Sequence, residues 1–197
     1  MRYYLAAAVL ATACHVSSRA EAQADVAGVS PQAVEALHLA ESKDPYEQEL
    51  GFLRLEALRE PATAQAITRY ADHSSADLRA YSLRALATIQ GAAAIPLLLN
   101  KLKVDPQPLV RRAALLGLEP IRGNDPDVLA AFIDALRDRT TEVRITAVDI
   151  GSRIKDPRAR EALLLRNRRE RRRDVRRALE LAMKRLDGHD TASQSPP

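Results

Sequence analysis

One cysteine, two phenylalanines, no tryptophan and seven glycines among 197 residues put several kinds of protein out of reach. With Cys14 alone, no disulfide can close within the chain, so stability has to come from packing, and no Cys/His spacing suits zinc. So few glycines form no phosphate-cradling loop. The histidines His38, His73 and His189 are scattered, none three or four residues from another metal-ligand type on a clear helix face. Ser74 and Ser75 beside His73 read as caps of the helix that includes Asp77, a Ser-x-x-Asp arrangement, and not as a nucleophile pair. No stretch alternates as a half-buried strand does, and beyond the N-terminal segment no window reaches the ~18 apolar residues that a spanning helix needs. Catalytic, metal and cofactor sites are therefore not expected.

What is present begins with residues 1–24: Arg2, an apolar run from Tyr3 to Ala13, and a polar stretch ending in Ala22-Gln23-Ala24, which is a secretory signal pattern. Cleavage after Ala24 is one expected processing route. Acylation of Cys14 is another, since Leu10-Ala11-Thr12-Ala13-Cys14 resembles a degenerate bacterial lipobox with alanine where leucine is preferred; an uncleaved segment is the third. Export to the periplasm or the cell exterior follows from the first two. The remaining residues, 46% hydrophobic and 28% charged over the whole chain, suit one unit, 25–187. About 170 residues bury about 70% of their unfolded surface. The polar segment 188–197 reads as a disordered tail.

The body repeats. Leu78-Arg79, Val110-Arg111, Val143-Arg144 and Val175-Arg176 stand 32, 33 and 32 residues apart, with a weaker copy at Leu50, 28 residues before Leu78. Apolar and small residues at i, i+3, i+4, i+7 and i+8, as in Val110, Ala113, Ala114, Gly117 and Leu118, make one helix face. A second amphipathic run precedes each. Asp44-Pro45, Asp105-Pro106, Asp125-Pro126 and Asp156-Pro157 read as helix starts, Asp capping and Pro presetting φ, and Ser30-Pro31 and Glu60-Pro61 add two more. The helix pairs expected are 31–41 with 45–59, 62–71 with 75–89, 92–103 with 107–121, 126–138 with 141–154, and 158–168 with 172–186. Hairpins this short must stack to bury their faces, giving a right-handed all-α solenoid of about five units with a groove. Small residues at i+4 (Ser82, Ala114, Ala147) allow close approach; Arg54 and Leu179 take that place in the outer units.

Ala94-Ile95-Pro96-Leu97-Leu98 followed by Val110 to Leu118 resembles a HEAT repeat of the short, phycobilisome-lyase-like type, over about residues 45–187. The resemblance implies a ladder joining successive repeats, made by Arg79, Arg111, Arg144 and Arg176 with the acidic residue one place before each Val or Leu: Asp77, Glu142 and Asp174. Leu109 and Gly51 depart from it. It also implies an armadillo-like interaction module whose second helices line the concave face, here with Arg84, Arg112, Ile145, Asp149 and Arg177. A lyase-type subunit is the enzymatic alternative; so few aromatics offer little lining for a flat chromophore.

Residues 158–177 hold ten arginines against Glu161, Glu170 and Asp174, a local +7 in a chain of net +4. The charge centres on Arg166, Arg168, Arg169, Arg171, Arg172 and Arg173. It reads as a solvated end cap, or as a surface for an anionic lipid or another polyanion. Nucleic acid ranks last, because no aromatic side chains interleave the arginines for base stacking. A protein partner, bound by the groove or by this hairpin, is the expected role.

Overall fold

The computed structural model describes residues 28–122 and 125–193, with side chains through 186. The leader 1–24 and Cys14 lie outside the described residues. Ten α-helices and no strand are found among those described: α1 (Pro31–Ala40), α2 (Pro45–Leu58), α3 (Ala64–Thr68), α4 (Ala76–Gln90), α5 (Ile95–Val104), α6 (Pro108–Ile121), α7 (Pro126–Ala135), α8 (Thr141–Gly151), α9 (Pro157–Arg169) and α10 (Arg173–Ser193). Each odd helix pairs with the next even one, and the five hairpins stack as an α-solenoid. Helix α10 continues to Ser193, into the segment read as a tail; no proline precedes Pro196 to stop it.

The capping chemistry explains most boundaries. Ser30, Asp44, Asp125 and Asp156 accept hydrogen bonds from the first free amides of α1, α2, α7 and α9, each with proline at the start of the helix, and Ser75 caps α4. Asp105-Pro106 departs from that reading. Helix α6 begins two residues later, at Pro108, and Asp105 ends α5 as a buried carboxylate with another task.

Even helices pack on one another more closely than odd helices do, so the array curves with the even helices inside. Within the first hairpin the close approach of α2 to α1 has a local cause: a Cβ on Gly51 would lie 2.5 Å from the Ala40 amide nitrogen and 2.7 Å from the Ala36 carbonyl oxygen, backbone that cannot move aside. Two clusters form the core. Phe52, Leu55, Ile67 and Leu86 anchor the first two hairpins, where Phe52 meets Tyr70 edge-on with ring centroids 5.2 Å apart; Leu98, Leu115, Leu118, Phe132, Leu163 and Leu179 fill the rest. The stretch Ala76–Val104 is long and apolar enough to satisfy a membrane-span test by composition. It is α4 and α5, separated by a turn at Gly91 whose φ of 56° favours glycine, and their apolar faces belong to the core.

Candidate functional site

The arginine ladder is present, but its acids come from elsewhere than the resemblance implied. Arg79 donates from Nε and Nη2 to the two Asp105 oxygens at 2.8 and 3.0 Å. Arg111 does the same to Asp138 at 2.8 Å twice, and Arg144 Nε reaches Glu170 at 3.2 Å. The remaining Nη1 turns inward: Arg79 to the carbonyls of His73 and Ser74, Arg111 to those of Asp105 and Pro106, Arg144 to that of Asp138. Each guanidinium thus ties its own hairpin turn to the next, the use for which a planar five-donor fork is suited. Asp77, Glu142 and Asp174 are instead exposed in the first turns of their helices, where the dipole favours a carboxylate. Leu109 therefore breaks no rung.

The carboxylates respond as this geometry demands. Burial by itself would raise Glu170, but hydrogen bonds from Arg166 and the Arg172 amide, with the charges of Arg166 and Arg144, bring it down to about 2. Burial likewise opposes, and the arginine and a turn amide overcome, in Asp105 and Asp138, both held below the ordinary carboxylate range.

Aligning helix starts carries the same register into the first hairpin, where Gln48 and His73 hold the two rung positions without a hydrogen bond between them. Helices α2 and α4 begin 31 residues apart, not at the 28-residue offset suggested by Leu50. The slip is one helical turn: Glu47 stands where later units have Leu78, Val110, Val143 and Val175, so the apolar signature reappears at Leu50. In the corrected register Gly51, and not Arg54, matches Ser82, and Gln48 matches Arg79. Gln48 Nε2 donates to the Ser42 carbonyl at 2.6 Å as the arginines do to theirs, while His73 stands at the position of Asp105 and its Nδ1 accepts the Ser75 amide at 3.0 Å. The last arginine, Arg176, lies in the last hairpin described and is exposed.

The exposed face of the even helices is the concave surface, and Arg84, Arg112, Ile145, Asp149 and Arg177 all lie on it. Two are occupied: Arg84 pairs with Glu56 at 3.1 Å, and Asp149 with Arg153 at 2.7 Å and Arg185 at 2.8 Å. Sequence reasoning missed the apolar members of this face. Tyr46 and Leu109 at the second helix position, and Leu53, Leu116 and Leu181 at the ninth, are exposed. The signal was available: they are the residues left over once the i, i+3, i+4, i+7 and i+8 core positions are assigned.

At the far end Arg166 is taken up by Glu170, whereas Arg168, Arg169, Arg171, Arg172, Arg173, Arg176 and Arg177 are exposed and make no ion pair among the described residues. No trio of His, Cys, Asp or Glu is placed to hold a metal among the described residues.

Residues 95–184 match the family model for HEAT repeats. Two solved structures share the fold. The complex of CpcE and CpcF of phycocyanin lyase from Nostoc sp. PCC7120 aligns with a TM-score of 0.63 at 23% identity, over 77% of this chain and 97% of that one. A designed armadillo repeat protein in complex with the peptide (KR)4 aligns with a TM-score of 0.51 at 13% identity, over 77% of this chain and 80% of that one. No curated protein matches the chain significantly.

Proposed function

We propose that the chain is a non-enzymatic scaffold of the cell envelope that holds a protein partner on the concave face of its even helices. The observation that carries this reading is the set of leucines left exposed there, Leu53, Leu116 and Leu181, with Arg84 and Asp149 at the intervening ninth positions. Solvent-facing leucine repeated on one face, between charges, fits an interface in which apolar contact supplies affinity and charge sets register. The solved relatives add support, one being a complex of two proteins and the other a peptide complex. A photo-cross-linker at Leu116 in the native host should give one defined protein adduct, lost in Leu53→Glu, with none from a cross-linker at the outward-facing Gln65. Equal labelling from both positions would sink the reading.

The runner-up is a lyase-type subunit, supported by the likeness to the phycocyanin lyase complex. The leader pattern favours the envelope, and intact mass of the protein from its host separates the two. A mature start at Asp25, or an acylated Cys14, fits the envelope scaffold; an intact Met1 in the cytosol favours the lyase subunit. Docking of the arginine-rich end on anionic membrane is a third reading, and flotation with and without anionic lipid tests it.

A further inference from the structure

The looser packing of the odd helices leaves two grooves side by side on the convex face. They are built alike and rimmed oppositely. Between α5 and α7 a groove of about 480 Å³ has Leu99, Leu102, Ala131 and Ala135 in its floor, with Asp127 and Asp134 on its α7 rim and the single cation Lys103 on its α5 rim. Between α7 and α9 one of about 380 Å³ has Ile133, Leu136, Ala162 and Leu165 in its floor and Arg137, Arg158 and Arg169 on its rim against the single acid Glu161, Arg158 being paired with Asp156. Asp127, Asp134 and Arg169 are exposed and make no ion pair among the described residues. The ridges beside the grooves carry the complementary signs. Helix α9 exposes Leu164 and Arg168, while α7 exposes Ala130, small enough for close approach, between Asp127 and Asp134.

We propose that this face is a homodimer interface, in which a second copy of the chain packs its α9 ridge into the acid-rimmed groove and its α7 ridge into the arginine-rimmed one. A two-fold axis parallel to α7 reverses the order α5, α7, α9 in the second copy, so both insertions occur twice and the contact is isologous and closed. Ridges then fill grooves, as helix layers pack. Each exposed leucine on α9 meets apolar floor, and each free carboxylate of α7 meets an arginine of the other copy. The concave faces stay outward, so this contact stands apart from partner binding.

Sedimentation of the protein purified from its host, across concentration and salt, tests it. A reversible dimer that weakens with salt is expected. Asp134→Arg and Arg169→Glu should each weaken the dimer at least about tenfold without altering helical circular dichroism. Both the double variant and an equimolar mixture of the two single variants should restore dimer, because each again sets unlike charges at positions 134 and 169. A wild-type protein that stays monomeric overturns the proposal. So does a dimer indifferent to both single variants, or one that the charge swap fails to rescue.

Discussion

Arg144 and Arg176 hold the same place in consecutive repeats and have opposite surroundings. Arg144 is 7% exposed and bound to Glu170 and to the Asp138 carbonyl, whereas Arg176 faces solvent. Local sequence does not separate them, since each follows a valine in the first turn of an even helix. What differs is the turn carboxylate 26 or 27 residues later, which Asp105, Asp138 and Glu170 supply for Arg79, Arg111 and Arg144 and which no described residue supplies for Arg176. The N-terminal end resolves the same problem differently. Gln48 takes the arginine's place and His73 the carboxylate's, and each bonds only within its own turn, so this junction carries no rung. A repeat residue thus acquires its role from its neighbour, as expected where stability is a sum of unit and interface contributions.

The contrast breaks most visibly at Arg111. Replacing it by alanine leaves the mostly buried Asp138 without its two-point partner and the Asp105 carbonyl without a donor, while that of Pro106 keeps Arg139. Removing one member of a buried pair costs about 3 kcal/mol, and a thermal midpoint lower by roughly 10 °C is expected for a chain of this size. Arg176→Ala should fall within about 0.5 kcal/mol of wild type. Equal losses from the two in urea unfolding would mean that burial in the ladder is not what distinguishes them.

Acid should dissolve the rungs next. Glu170 falls from 4.5 to about 2 on folding, so its contribution is complete above pH 4.5 and is lost as pH drops through the range down to about 2. At ~1.4 kcal/mol per unit this is on the order of 3 to 4 kcal/mol. Asp105 and Asp138, also lowered, act with the same sign. Urea midpoints measured between pH 6 and 2.5 should fall less steeply in Glu170→Gln than in wild type; equal slopes would mean that this carboxylate is not what acid dissolves.

Much of this architecture was legible in the residues. Period, hairpin count and helix starts followed from apolar spacing and from Asp-Pro and Ser-Pro steps, because those signals act within a turn or two of chain. The acidic partners of the ladder did not, since Asp105 lies 26 residues from Arg79 and the nearby Asp77 offered a closer pairing in sequence. Asp105 also carries the Asp-Pro signature of a cap while serving as a rung. The first unit slid by one turn because the exposed Glu47 stands where the later units have a buried Leu or Val. The opposite rims on the convex face came only with the fold, which brings α5, α7 and α9 side by side.

The smallest expected effect tests the rule most directly, by building a rung where the chain has none. In Gln48→Arg one terminal nitrogen can keep the bond to the Ser42 carbonyl, leaving Nε and the other terminal nitrogen for the next turn, as at Arg79. In His73→Asp one carboxylate oxygen can still accept the Ser75 amide, as Asp105 accepts that of Gln107. Neither change alone supplies a pair, so each should leave stability near wild type or slightly below it. Together they should show a favourable coupling of about 1 kcal/mol in a double-mutant cycle, modest because this junction lies at the end of the array, near solvent. An additive pair would mean that the ladder needs more than the right two residues at equivalent positions, and that the packing of α2 on α4 holds Gln48 and His73 out of the register found at the other junctions.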